Sequence, residues 1–110
     1  LNMTDCMING NQAVTYNTMG GYGGGIFLQS SNTANLNNVT IHGNTASGSS
    51  GGLHNQRNGA VNLTNVTITN NLADANGALS TTNSSTLTIL NSTIVYNYFH
   101  SGGSNGGIGG

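Results

Sequence analysis

Two carboxylates, three imidazoles, one thiol, one guanidinium and four phenols are all the ionisable side chains in this 110-residue chain that could carry acid–base or metal chemistry. Glycosidic cleavage calls for paired carboxylates roughly 5–10 Å apart. Asp5 and Asp74 fall at non-equivalent points of a repeating sequence, so a shared cleft is not expected and no catalytic residue is assigned. A calcium-dependent lyase would need several acidic ligands and a base, which this composition cannot supply. His42, His54 and His100 are candidate metal ligands or general bases. Their phases place them on separate, solvent-facing positions, and neither a metal nor a cofactor is expected. Arg57 beside His54 reads either as a sugar-binding pair or as a loop anchor. Tyr16, Tyr22, Tyr96 and Tyr98 read either as an aromatic platform for glycans or as loop packing. Cys6 stands where other copies of the repeat carry Val39 and Val66, so it reads as a small buried hydrophobe. The run GGYGGG from Gly20 lacks the Lys-Ser/Thr of a phosphate-binding loop and opens no helix, so it is not a nucleotide site.

Asn-x-Ser/Thr triplets begin at Asn2, Asn38, Asn62, Asn65, Asn83 and Asn91. Asn38, Asn65 and Asn91 recur at one position of the repeat, so their triplets follow from it without any glycan. Asn83, Asn62 and Asn2 are the better candidate acceptors for N-glycosylation, given a source cell that attaches sugar.

The elements that must position these groups come from a polar, almost uncharged chain. Only 3% of the residues are charged and proline is absent, while Asn, Gly, Thr and Ser make up more than half. Disordered chains are instead rich in charge and proline. One fixed cation gives no footprint for nucleic acid or anionic lipid. No apolar run approaches the ~20 residues of a membrane span. The chain starts on Leu1 rather than Met and shows no signal peptide, as expected of a processed or excised piece. It reads as one domain, 1–110, or a segment of a longer array.

Self-similarity supplies the organisation. LNMTDCMINGN from Leu1, ANLNNVTIHGN from Ala34, VNLTNVTITNN from Val61 and LTILNSTIVYN from Leu87 superimpose, with Ile8, Ile41, Ile68 and Ile94 spaced 33, 27 and 26 residues apart. Each is followed by a glycine-led segment, and Ile26, Leu53, Leu79 and Ile108 head a further strand. Inside each copy the apolar period is two, the signature of a strand. A three-residue step at Asp5, Asn38, Asn65 and Asn91 marks a bend, which Asn and Asp tolerate in left-handed geometry. Two-residue hairpin signals between longer strands are missing, and Gly, Asn, Thr and β-branched residues disfavour helices throughout. The expected fold is all-β: a parallel β-helix (β-solenoid) of about four coils of ~26 residues, with three short strands per coil. Stacking would align the isoleucines, the bend residues and a second series, Asn11, Asn44, Asn71 and Asn97, into ladders. The segments Gln12–Tyr22, Thr45–Ser50, Leu72–Ala75 and Tyr98–Asn105 are expected to protrude as loops.

The alternation of Ile-x-x-Asn (INGN, IHGN, ITNN, IVYN) with Gly-Gly-aliphatic (GGGI, GGL, GGI) resembles the repeats of polymorphic outer-membrane adhesins and, more broadly, right-handed parallel β-helix surface proteins. The resemblance implies a right-handed winding and an extracellular or cell-surface location.

Hydrophobic burial and ordering entropy nearly cancel in so short a stack, and its end strands would present unpaired backbone groups. The expected role is therefore a non-catalytic extracellular structural solenoid, either a filament subunit stacking end to end as a homo-oligomer or an adhesin-stalk segment continuing a longer chain, with glycans as further partners. The alternative is a carbohydrate-binding or carbohydrate-active, pectate-lyase-like β-helix that uses the Gln12–Tyr22 loop and the His54/Arg57 surface as a groove.

Overall fold

The structure, a computed structural model, describes residues 1–17 and 20–100 together with the backbone of Gly107 and Ile108. Among the described residues there is no helix, and fourteen strands follow the sequence repeat. The first copy carries β1 (Asn2–Asn9), β2 (Gln12–Ala13) and β3 (Ile26–Leu28), and the second β4 (Ala34–His42), β5 (Thr45–Ser49) and β6 (Leu53–Asn55). The third has β7 (Ala60–Thr64), β8 (Thr67–Thr69), β9 (Leu72–Ala75) and β10 (Leu79–Thr81). The fourth has β11 (Thr86–Leu90), β12 (Thr93–Val95), β13 (Tyr98–Phe99) and β14 (Gly107–Ile108).

Each strand pairs with its counterpart in the neighbouring copy, and all but one of these pairings are parallel. One sheet contains β1, β4, β7, β8, β11 and β12; a second runs β2, β5, β9, β13; a third runs β3, β6, β10, β14. In the first sheet the register sets Met3 beside Leu36, Leu36 beside Leu63 and Leu63 beside Ile89. Ile8, Ile41, Ile68 and Ile94 align in the same way. Parallel pairing in register places like beside like, so these aliphatic side chains form continuous columns. In the middle copies Leu36, Val39, Ile41, Val61, Leu63, Val66 and Ile68 are at most 1% exposed. At the two ends Met3, Cys6, Ile8, Leu87, Ile89 and Ile94 are only partly buried.

The bends have a common backbone cause. Asp5, Asn38, Asn65 and Asn91 all have positive φ, between 47° and 54°. A second left-handed column, Gly10, Gly43, Asn70 and Tyr96, follows the isoleucines, and a third contains Gly23, Ser50 and Asn76. A single left-handed residue redirects a strand without a hairpin, so each copy turns its corners while remaining in register with the next. Gly, Asn and Asp take this conformation at least cost.

Two expectations need correction. The segments expected to protrude as loops begin as strands: Gln12, Thr45, Leu72 and Tyr98 pair in series, as do Ala13, Ala46, Ala73 and Phe99. Alanine faces inward in three of the four copies, too short to register as an apolar period, yet Ala46 and Ala73 are buried. The glycines that follow must lack a side chain because they lie tight against the backbone of this sheet. A Cβ on Gly24 would come 2.3 Å from the Thr45 carbonyl oxygen, on Gly51 2.5 Å from that of Leu72, and on Gly77 2.3 Å from that of Tyr98. The remainder of Tyr98–Asn105 lies partly outside the described residues. The second correction concerns Ile108. It pairs with Leu79 as the sequence alignment suggests, but β14 runs antiparallel to β10. A two-residue strand has no side-chain alternation long enough to specify its direction.

Candidate functional site

The titratable groups do not converge. Asp5 sits at the first bend, where its Oδ1 accepts a hydrogen bond from Asn38 Nδ2 at 2.5 Å. Asp74 lies in β9, and its Oδ1 is 3.2 Å from His100 Nδ1 on an exposed surface. His42 is exposed, with Asn70 Nδ2 at 3.5 Å from its Nδ1. Cys6 is half-buried against the core and donates from Sγ to the Thr4 carbonyl at 3.0 Å. Among the described residues no group of three or more His, Cys, Asp or Glu side chains could hold a metal ion. Among them, too, no helix is long and apolar enough to cross a membrane.

The asparagines do converge. Asn44 Oδ1 accepts from Asn11 Nδ2 at 3.1 Å, Asn71 Oδ1 from Asn44 Nδ2 at 3.0 Å, and Asn97 Oδ1 from Asn71 Nδ2 at 2.9 Å. Each of these Oδ1 atoms also accepts the main-chain N–H of the asparagine before it in the series. The second Nδ2 proton returns to the isoleucine column: Asn44 donates to the Ile8 carbonyl, Asn71 to Ile41 and Asn97 to Ile68. Asn44 and Asn71 are fully buried. A buried carboxamide with every group bonded is stabilising, whereas a half-satisfied one is costly.

An outward ladder was not apparent from the sequence. Asn62 Nδ2 donates to Asn35 Oδ1, and Asn35 Nδ2 to Asn2 Oδ1, both at 2.9 Å. Two of the candidate glycan acceptors, Asn2 and Asn62, are thus members of a surface carboxamide column. The signal available in the sequence was the alignment of Asn2, Asn35 and Asn62 themselves, obscured because Thr88 occupies the position in the fourth copy. Asn83 is exposed with φ at 59°, and its Nδ2 donates to the Gln56 carbonyl at 2.6 Å. Asn38, Asn65 and Asn91 are exposed at the bend.

The third sheet holds a dense cluster of polar and aromatic side chains. His54 was expected to face solvent but is only 3% exposed. The long first-copy segment brings Tyr22 over it, stacked with ring centroids 5.1 Å apart, and the in-register Phe27 stacks at 5.7 Å. Burial depresses the imidazole pKa below 6.5 because the charged form is stripped of water. His54 Nδ1 lies 2.7 Å from Ser80 Oγ, which is also 2.5 Å from Ser50 Oγ and 3.2 Å from Ser49 Oγ. Asn76 Nδ2 donates to Ser49 Oγ at 3.1 Å. These groups wall a groove of about 260 Å³ lined by Tyr22, Ser49, His54, Gln56, Asn76, Ser80, Thr82 and Asn83.

Ser80 beside His54 resembles half of a nucleophilic pair, but no carboxylate lines the groove to orient the imidazole, a part that acyl-transfer triads include. Arg57 is exposed and does not line the groove, so the pairing with His54 read from the sequence is not formed there. Tyr16, Tyr96 and Tyr98 are exposed singly, and Tyr22 alone of the four stacks on another described ring. Comparison with protein-family models, with curated proteins and with solved structures gives no match.

Proposed function

We propose that the chain winds as a right-handed parallel β-helix and serves as a non-catalytic, extracellular structural element, a filament subunit that stacks end to end or a stalk segment continued by further copies. The observation that carries this reading is the pair of unbroken columns, aliphatic and asparagine, that run through all four copies, the aliphatic one ending on partly buried side chains. Ile41 and Ile68 are fully buried between neighbours, while Ile8 and Ile94 at the ends of the same column are not. A further copy of the repeat on either end would complete their burial, and the outer edge of β1 offers main-chain groups to meet it. The asparagine series has a polarity that suits head-to-tail addition, since each Oδ1 serves the copy before it. The near-absence of charge leaves little repulsion between copies. Asn83, Asn62 and Asn2 are the proposed acceptors where the source cell attaches N-linked glycans.

Fibre formation by the purified chain tests this directly. Thin unbranched fibres with a reflection near 4.8 Å along their axis are expected. A folded monomer that persists at millimolar concentration would count against end-to-end assembly.

A further inference from the structure

We infer that the groove beside His54 is a binding site for a single neutral pyranose ring, a role independent of how the repeats end. Its charge decides the class first. No ionised side chain lines it, and burial keeps His54 neutral, so neither an anion nor a cation finds a counter-charge. Its chemistry decides next. Thr82 Oγ1 donates to the Asn55 and Gln56 carbonyls and Asn76 Nδ2 donates one proton to Ser49 Oγ, which leaves the Gln56 carboxamide, the Asn76 carboxamide oxygen and its second N–H to present donors and acceptors along the wall. An apolar ligand would leave those groups unpaired, whereas a ring of hydroxyls can satisfy them. Tyr22, 38% exposed and braced by its stack on His54, offers an aromatic surface for the C–H face of such a ring.

Rigidity and size complete the case. His54 and Ser80, 3% and 2% exposed, form the floor, held by the Ser80 hydroxyl's contacts with His54 Nδ1 and Ser50 Oγ. Preorganised polar groups lower the cost of ordering on binding. A volume of about 260 Å³ falls below that of clefts for drug-sized molecules, about 300–1,000 Å³, and suits one sugar ring rather than a chain laid along the surface.

The test is an NMR titration of the full chain with glucose, galactose, mannose and N-acetylglucosamine, with glucuronate and glucosamine as charged controls. At least one neutral sugar is expected to shift the His54 and Tyr22 ring signals saturably, with Kd of about 1–10 mM. Tyr22→Ala and Asn76→Gly should each weaken that binding about tenfold. The glycine retains the positive φ of Asn76, so this variant keeps the test alive if the tyrosine change unfolds the chain. Methyl glycosides separate two sources of the same chemistry: retained binding assigns the terminal residue of a longer glycan, and lost binding a free sugar. The inference is overturned if no neutral sugar saturates by ~100 mM, if the charged sugars bind equally well, or if both variants bind as the parent does.

Discussion

Asn71 Oδ1 accepts two hydrogen bonds from Asn44, from its main-chain N–H at 2.9 Å and from its Nδ2 at 3.0 Å, across 27 residues of sequence. The same side chain donates to the Ile41 carbonyl and to Asn97 Oδ1. One carboxamide therefore joins three copies of the repeat. Replacing Asn71 by Ala leaves several buried partners unpaired, at about 1–3 kcal/mol each, and should cost at least ~3 kcal/mol in a urea titration. Asn11→Ala, at the exposed end of the series, removes a single donor group and should cost under about 1 kcal/mol.

Left-handed corners make a second prediction. Asn65, exposed with φ at 54°, should accept Gly with little change in stability, while Val should cost about 1–2 kcal/mol. Tyr96 occupies the equivalent conformation at the next corner, where the other copies have Gly10, Gly43 and Asn70, and it is 66% exposed. Tyr96→Asn should stabilise the chain by about 1 kcal/mol, read as a raised thermal midpoint.

Two glycines distinguish backbone conformation from crowding. Gly43 has a positive φ but open space where a Cβ would stand, so Gly43→Ala should cost about 1 kcal/mol. Gly51 lies against Leu72, with a Cβ falling 2.5 Å from its carbonyl oxygen and 2.6 Å from its nitrogen. Leu72 pairs with Thr45, so its backbone cannot give way without breaking the register of β5 with β9. Gly51→Ala should therefore exceed the Gly43 change by at least ~2 kcal/mol, or prevent folding.

His54 links stability to pH. Burial holds its folded pKa below the ordinary imidazole value of 6.5, so the unfolded chain binds the extra proton first. Stability should be flat above pH 6.5 with respect to this group and decline as pH falls from there towards the folded pKa. Thermal midpoints measured across that window should fall in the parent. In His54→Phe, the decline attributable to this group should vanish.

Assembly supplies the last prediction. Ile89 and Ile94 are partly buried at one end of the columns. Ile89→Lys combined with Ile94→Lys should leave the circular dichroism of the strands intact while abolishing fibres, because stacking a copy on this end would bury two unpaired charges. Sedimentation would report a monomer in place of large species.

Much of this arrangement is legible in the sequence, for reasons that differ by element. The alignment of Ile8, Ile41, Ile68 and Ile94 could be read because parallel in-register pairing repeats the same residue at the same place. The bend at Asp5, Asn38, Asn65 and Asn91 could be read because a three-residue step interrupts a period of two. The β2–β5–β9–β13 sheet could not, since its inward residues are mostly alanine and its strands are short. The burial of His54 could not either. It depends on Tyr22, 32 positions earlier in sequence, crossing from an irregular segment that carries no periodic signal. Sites formed by such crossings lie beyond what spacing within a repeat can convey.

The unequal spacing of the copies has its own consequence. Ala13 pairs with Ala46 at an offset of 33 residues, but Ile26 pairs with Leu53 at an offset of 27. All six additional residues therefore fall between Ala13 and Ile26, in the segment that delivers Tyr22. The glycine contacts and the carboxamide series on either side proceed undisturbed. Lineages of such a chain can lengthen, shorten or exchange that one corner without re-solving the scaffold, much as an instrument accepts a new tip on an unchanged handle. Variation in length at this corner, with constancy at Gly24, Gly51 and Gly77, is the pattern of sequence divergence that the architecture permits.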